Sequence, residues 1–360
     1  MVVTEPVEDR VATIESIHAE TLVNGPLLNV IVRVTDSDGA EGVGEAWWGI
    51  ADSAEPERAV KPIVSVVNDL LAPRLLGREA SAIERIWYDA WDWGYRYGDQ
   101  GILTMGLSGI DLALWDLHGK RHGLPVHELL GGPALDSIPA YASLPPLRSA
   151  ELLVTETQRA IDHGFSAVKL HELDPELTAL LRTEFGQELT IMVDVNGHFD
   201  VTEAIAHGRR LSELGVLWFE EPVRPMRDHR AIAKVGAAID CDLAGGENEY
   251  SAEDFERLLR TGALRYLQPE ITKIGGLTPA RRIAALAEVH NVALCPHNFR
   301  LGPSLYASIH WAFTSPASRW IEFPWMPTRL QFPFGAELPT LVDGRVHPLT
   351  GPGLSCEPVG

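Results

Sequence analysis

Seven titratable side chains recur at nearly even spacing through the second half of the chain. Each follows a short apolar segment, and the intervals between neighbours run from 23 to 27 residues. The residues are Lys169, Asp194, Glu220, Glu247, Glu270, His297 and Glu322. A single acid after a strand often only caps the next helix, but a repeat of this length indicates one site built from several segments.

The elements that must position these side chains alternate regularly. Short apolar runs such as SAVKLH, LTIMVDVN and GVLWFEE alternate with amphipathic segments such as TPARRIAALAEVHN. There are eight candidate strands, from SIPAYAS to RWIEF. Eight parallel strands joined by helices close into an α/β barrel, whose strand ends meet at one mouth where barrel enzymes carry their catalytic groups. The pattern therefore predicts that the seven side chains share one cavity.

Three consecutive members of the series are carboxylates: Asp194, Glu220 and Glu247. Gathered at one mouth, they repel one another unless a cation lies between them. Ligands that are all oxygen atoms favour a hard ion, which predicts Mg²⁺, with Mn²⁺ as the alternative, rather than zinc. Because Mg²⁺ leaves coordination positions open, a small-molecule carboxylate substrate can bind at the same ion.

Candidate bases flank the predicted metal. Lys169 and His171 are two residues apart, so on a strand both side chains point the same way. His297 comes from the other side of the ring, and Glu270, one strand earlier, is placed to hydrogen-bond its imidazole and fix the tautomer. Bases on both sides of a metal-held carboxylate suit removal of the proton α to that carboxylate. Glu221 is expected to pair with a barrel lysine rather than to bind metal.

Composition restricts the partners. The chain has 30 Lys and Arg against 50 Asp and Glu, a net charge of −20, which argues against nucleic acid and anionic membrane surfaces. Three scattered cysteines argue against a disulfide framework, and no secretory signal or long apolar run is visible. We expect a cytoplasmic protein without a membrane span.

The N-terminal region follows a different pattern. Three alternating segments, two of them joined at Asp36-Ser37-Asp38-Gly39, predict a β-meander, and amphipathic helices such as SGIDLALWDLHGK follow. We predict an α+β capping domain over residues 1–133 and the barrel over 134–328. A tail over 329–360 is expected to pack back on the capping domain.

At these motifs the sequence resembles the enolase superfamily, in its mandelate racemase-like branch. The segments VKLH, VDVNG, WFEEP, GGEN, QPEITKIGG, CPHN and IEFP follow the family's order of strand-end motifs. Glu270 stands five residues before Gly275, where muconate-cycloisomerase-like relatives carry a lysine base, and this favours the racemase-like branch. The resemblance implies a (β/α)7β TIM-like barrel, a capping domain completed by the C-terminal tail, and a homo-oligomer.

The resemblance also implies a role for each candidate site residue. The implied metal ligands are Asp194, Glu220 and Glu247. The implied acid/base residues are Lys169, His171, Glu270 and His297, with histidine at 171 where the family usually has the second lysine of Lys-x-Lys. The implied substrate contacts are Glu322, Asn196 and Trp47, the last beside a loop that closes over the mouth.

The expected activity is that of an acid-sugar dehydratase. A base would remove the C2 proton of an aldonate or aldarate, and loss of the 3-hydroxyl would give a 2-keto-3-deoxy acid. The same metal and bases also suit a cycloisomerase of a sugar lactone or a racemase or epimerase, although His171 makes a symmetric two-base racemisation less suitable. From another class, a non-catalytic metal-binding barrel has no need of His297, Glu270 and Lys169.

Overall fold

A computed structural model describes residues 11–24, 27–47, 56–325 and 339–356. The described part of the predicted tail is therefore 339–356. None of the described helices combines the length and the apolar character needed to cross a membrane.

The N-terminal region opens with a three-stranded antiparallel sheet. Its strands, in the order β1-β2-β3, are β1 (Ile14–Asn24), β2 (Leu27–Asp36) and β3 (Glu41–Ala46). The predicted turn joins β2 to β3: Asp36 Oδ1 accepts hydrogen bonds from the amides of Asp38 and Ala40, both at 3.0 Å. Gly39 completes the turn at φ 81°, a conformation that favours glycine.

Helices then cover one face of this sheet. They are α1 (Pro56–Ser65), α2 (Ala72–Leu75), α3 (Ile83–Gly94), α4 (Ile102–His122) and α5 (Val126–Leu129), with a π-helical segment (Val66–Leu71) between the first two. Strand β3 lies directly against α4, and a Cβ on Gly42 or Gly44 would lie 2.0 or 2.2 Å from a backbone oxygen of that helix. The glycines of GVGEAW thus permit close strand–helix packing.

The second region is the predicted (β/α)7β barrel. Its strands are β4 (Ile138–Ser143), β5 (Ala167–Leu170), β6 (Thr190–Asp194), β7 (Trp218–Glu220), β8 (Asp242–Gly245), β9 (Leu264–Leu267), β10 (Ala293–Leu294) and β11 (Ile321–Pro324). The helices between them are α6 (Ala150–Asp162), α7 (Pro175–Phe185), α8 (Val201–Glu213), α9 (His229–Gly236), α10 (Ala252–Leu259), α11 (Leu277–His290) and α12 (Pro303–Phe313).

The strands pair in parallel from β11 through β4 to β10, and a parallel bridge between Leu294 and Ser318 closes the ring. The α/β class and the TIM-like barrel expected from the sequence are confirmed.

The Gly-Gly segment after β9 joins the two regions. Trp87 Nε1 donates to the Gly275 carbonyl at 2.8 Å, and Asp111 Oδ2 accepts from the amide of Thr278 at 3.0 Å. Gly276 has φ 92°, and a Cβ there would lie 2.4 Å from Asp111 Oδ2. Trp87 of α3 and Asp111 of α4 therefore help to fix the segment that follows β9.

The described tail contacts both regions. Strand β12 (Arg345–Val346) pairs antiparallel with β4 of the barrel. Further along, the amide of Leu354 donates to Asp116 Oδ1 of α4 at 2.7 Å. The tail therefore packs on the barrel as well as on the N-terminal helices.

Candidate active site

The barrel's inward-facing side chains form layers. A buried apolar layer contains Tyr141, Ala167, Met192, Trp218 and Ala244. Because side chains on a strand repeat every two residues on the same face, the next inward positions on β5, β6 and β7 are Lys169, Asp194 and Glu220. All three are buried. The two-residue repeat of the strands thus places one cation and two carboxylates at the mouth, directly above the apolar layer.

Three carboxylates converge at this mouth. Oxygen atoms of Asp194, Glu220 and Glu247 all lie within 4.8 Å of one another, and all three residues are buried. Lys169 Nζ lies 2.8 Å from Glu220 Oε1, 2.9 Å from Glu322 Oε1 and 3.7 Å from Asp194 Oδ2. The predicted metal ligands and the first lysine therefore form one cluster.

Burial and mutual repulsion perturb these groups. Burial raises the pKa of Glu220 to about 7, although Lys169 opposes the rise. For Lys169, burial alone would lower the pKa, but Glu220 and Glu322 outweigh it and hold the pKa well above its usual value. Burial would likewise raise the pKa of Glu247, yet the nearby His297 imidazole keeps it low.

The His297 imidazole has a carboxylate next to each of its two ring nitrogens. Its Nδ1 lies 2.7 Å from Glu270 Oε2, and its Nε2 lies 2.8 Å from Glu247 Oε2. Glu270 Oε1 accepts from the amide and the hydroxyl of Thr272, at 2.9 and 2.7 Å. The Glu270 carboxylate thus reaches the imidazole directly, as the sequence predicts. Because Nδ1 donates to the carboxylate, Nε2 is the nitrogen turned toward the cluster.

His171 is fixed in a similar way, although strand β5 ends at Leu170 and the histidine lies one residue beyond it rather than on the strand. Its Nδ1 lies 2.6 Å from the Leu144 carbonyl and its Nε2 3.2 Å from Asp194 Oδ2. A carbonyl oxygen only accepts, so Nδ1 carries the proton and Nε2 faces the site. Lys169 and His171 therefore both reach Asp194, as their two-residue spacing predicts.

The three predicted substrate contacts lie around this cluster. Asn196 Nδ2 donates to Asp194 Oδ2 at 3.0 Å, so its amide orients a predicted metal ligand. Glu322, the second residue of β11, is buried against Lys169, and its Oε2 accepts from the amide of Asn298 at 3.1 Å. Trp47 directly follows β3, and its ring lies 3.9 Å from Lys273 Nζ.

Lys273 and Asn248 belong to the site but were not predicted from the sequence. Lys273 Nζ donates to Asn248 Oδ1 at 2.9 Å, and Asn248 Nδ2 donates to Glu221 Oε1 at 2.8 Å and to Glu247 Oε1 at 3.1 Å. The expectation that Glu221 pairs with a lysine is therefore wrong, because an asparagine amide lies between the two charges. The sequence feature that could have indicated a contact here is Lys273 itself, a lysine two residues before the Gly275-Gly276 pair.

Two family descriptions together cover most of the chain. Residues 8–131 match "Mandelate racemase / muconate lactonizing enzyme, N-terminal domain", and residues 152–359 match "Enolase C-terminal domain-like".

Named relatives span most of the chain at about 30% identity. D-galactarolactone cycloisomerase of Agrobacterium fabrum is 32% identical over 91% of this chain and 88% of that protein. D-galactonate dehydratase of Pectobacterium atrosepticum is 30% identical over 86% of both chains.

A solved structure gives the same result for the fold. A mandelate racemase/muconate lactonizing protein from Paracoccus denitrificans, complexed with magnesium, superposes with a TM-score of 0.86 at 30% identity and covers 97% of this chain and 96% of its own.

Proposed function

The chain belongs to the mandelate racemase/muconate lactonizing enzyme family of the enolase superfamily, as its motifs predict, and on that premise we propose that it is a Mg²⁺-dependent acid-sugar dehydratase. It would remove the proton α to the carboxylate of an aldonate or aldarate and eliminate water to give a 2-keto-3-deoxy acid. The observation that supports this most directly is a buried carboxylate triad flanked by two imidazoles, each with its Nδ1 proton already committed.

The residues present fit a hard divalent cation. All three donors are carboxylates, their oxygens lie within 4.8 Å of one another, and all three residues are buried. We propose that Asp194, Glu220 and Glu247 hold Mg²⁺, with Mn²⁺ as an alternative. When bound, the ion supplies Lewis-acid stabilisation of the negative charge that develops on the substrate carboxylate.

The proton transfers belong to residues on either side of the triad. His171 Nε2 contacts Asp194, the first carboxylate, and His297 Nε2 contacts Glu247, the third, so the two imidazoles face the substrate space from different sides. One neutral imidazole can remove the C2 proton, and a protonated one can assist departure of the 3-hydroxyl as water. Lys169, held between Glu220 and Glu322, supplies a fixed positive charge beside the reacting carboxylate.

A cycloisomerase is the second candidate, because a lactone substrate needs the same proton removal but expels a ring oxygen instead of water. The observation in its favour is the 32% identity to a relative named as a D-galactarolactone cycloisomerase. A racemase or epimerase fits less well, because only one of the two imidazoles has a carboxylate behind it.

The test is a screen of aldonates, aldarates and sugar lactones with the Mg²⁺-loaded enzyme. A dehydratase yields a 2-keto acid from an open-chain acid, whereas a cycloisomerase consumes only lactones, and NMR in heavy water locates the exchanged hydrogen. We expect His297→Asn to reduce turnover about 10²- to 10⁴-fold.

His290→Asn, at the last residue of α11, is the matched control and should behave like the wild type. A chain that binds Mg²⁺ but turns over no acid or lactone would favour the non-catalytic barrel.

A further inference from the structure

A cavity of about 230 Å³ opens beside Asp194, and it extends from His171 and Asp194 to side chains that have no role in the mechanism above. It is formed by the loops that follow strands β4 to β7. Its polar lining consists of Arg148, His171, Asp194, Asn196, His198 and Arg224. Two guanidinium groups and two imidazoles therefore surround a space that begins at a proposed metal ligand.

Hydrogen bonds hold the backbone of the two loops that carry these arginines. The buried Glu172 carboxylate accepts from the amides of Leu147 and Arg148 at 2.7 and 3.0 Å, and it lies 3.4 Å from Arg148 Nη1. The amide of Arg224 donates to the Phe199 carbonyl at 3.0 Å. The loops that carry these cations are thus fixed by hydrogen bonds from neighbouring barrel segments, which lowers the ordering cost of binding.

The charges of this cavity differ from those of the rest of the protein. The chain as a whole carries −20, yet two arginines line this one space. Arg148 shares its charge with Glu172, whereas the exposed Arg224 side chain has no ion-pair partner in the described ranges 11–24, 27–47, 56–325 and 339–356. At least one guanidinium is therefore available to an anion.

We propose that this cavity binds a carboxylate at the far end of the substrate, so that the substrate is an open-chain dicarboxylic sugar acid rather than an aldonate. This inference rests on the proposed function, because the first carboxylate is the one held at the metal. A guanidinium binds a carboxylate through two parallel hydrogen bonds and an opposite charge, whereas the hydroxymethyl end of an aldonate offers one neutral oxygen.

A carboxylate fits this cavity better than a phosphate does. Phosphate sites commonly use free amides at a helix N-terminus. Here the N-termini of α6, α7 and α8 are each capped by their own side chains, Ser149, Asp174 and Asp200. Those side chains already accept from the helix N-terminal amides that a phosphate would otherwise use. Planar guanidinium groups remain as the cationic contacts, and they match a planar carboxylate.

The test compares an aldarate with the aldonate of identical C2–C5 configuration, so that the two substrates differ only at C6. An aldonate 6-phosphate is the third probe. With Mg²⁺-loaded wild type we expect kcat/KM to be about tenfold higher for the aldarate than for the aldonate. Arg224→Met should remove most of that advantage through KM and leave the aldonate value within about twofold. Arg148→Met should have a smaller effect in the same direction.

Arg85→Met removes one exposed arginine from α3 and controls for net charge alone. Equal losses for both substrates in Arg224→Met, or a wild type that prefers the aldonate or its phosphate, would overturn the inference. Calorimetry on His297→Asn separates binding from turnover. If the aldarate binds in an Arg224-dependent way but no acid is turned over, the proposed function fails and the cavity assignment stands. Turnover that does not depend on Arg224 would instead support the proposed function and reject the cavity assignment.

Discussion

Replacing Glu270 by glutamine should disable His297 while leaving the fold intact. Glu270 Oε1 accepts two hydrogen bonds from Thr272, and Oε2 accepts from His297 Nδ1. A glutamine must place its oxygen toward Thr272, because turning its NH2 there would leave the Thr272 amide unpaired at a cost of about 1–3 kcal/mol. The NH2 group then faces His297 Nδ1, and two donors oppose each other.

The imidazole resolves this conflict by moving its proton to Nε2. That tautomer keeps both nitrogens hydrogen-bonded, since Nε2 lies only 2.8 Å from Glu247 Oε2. The nitrogen that faces the substrate is then protonated in the neutral ring and cannot act as a base. Loss of the correct tautomer at a comparable histidine lowers turnover by about 10⁴, or roughly 5.5 kcal/mol of transition-state stabilisation.

The assay is kcat/KM for Glu270→Gln with the best acid from the screen, together with ¹⁵N chemical shifts of His297, which report the tautomer directly. Thr272→Val is the control, because it removes the hydroxyl donor but keeps a carboxylate on the imidazole, and its loss of activity should be far smaller. A Glu270→Gln enzyme that retains more than about a tenth of wild-type activity, with Nδ1 still protonated, would refute the role assigned to this pair.

Three further outcomes follow from the structure. Burial lowers the pKa of the His310 imidazole to about 3, so the unfolded chain binds an extra proton below pH 6.5. The free energy of unfolding should therefore fall by about 2 kcal/mol between pH 7 and pH 5 because of this group. Urea unfolding at both pH values checks this, since the fall should be smaller in His310→Leu than in the wild type. Mg²⁺ should raise the melting temperature, because an ion that binds the folded chain stabilises it. Glu247→Gln, which removes one of the three carboxylates, should abolish that rise in a thermal melt, a measurement that does not depend on activity. Gly276→Ala should cost about 2–4 kcal/mol, because its Cβ would meet Asp111 at a positive φ, whereas Gly39→Ala, at a similar φ but with nothing within 4 Å, should cost about 1 kcal/mol in chemical denaturation.

Barrel geometry made much of this site predictable. Once the strands are recognised, the side chain at the end of each strand must point to one mouth, and the spacing alone therefore placed Lys169, Asp194 and Glu220 together. The partner of His297, Glu270, could also be predicted, but the partner of His171 could not. The Leu144 carbonyl that orients His171 is a backbone group, and backbone acceptors leave no mark on residue type.

The prediction for Glu221 failed for a related physical reason. It assumed that an acid in the barrel pairs directly with an oppositely charged side chain, which in this region means a lysine. In the fold, Lys273 and Glu221 both hydrogen-bond to the amide of Asn248, which has a donor for the acid and an acceptor for the base. One neutral side chain contacts both groups through one Glu221 oxygen and the Lys273 ammonium, and nothing in the local sequence distinguishes that asparagine from an ordinary loop residue.

The charge balance of the mouth explains why these bases need a cation beside them. Among the residues that the structure describes, six buried carboxyl groups line it: Asp194, Glu220, Glu221, Glu247, Glu270 and Glu322. Two lysines and two histidines oppose them, so the sum is −4 with neutral imidazoles and −2 with both protonated. Because these groups are buried and repel one another, the pKa of Glu220 rises to about 7 and that of Glu221 rises well above its usual value. A divalent ion would add +2, the same charge that protonating both imidazoles would add, so the triad that would bind the metal would also let His171 and His297 remain bases.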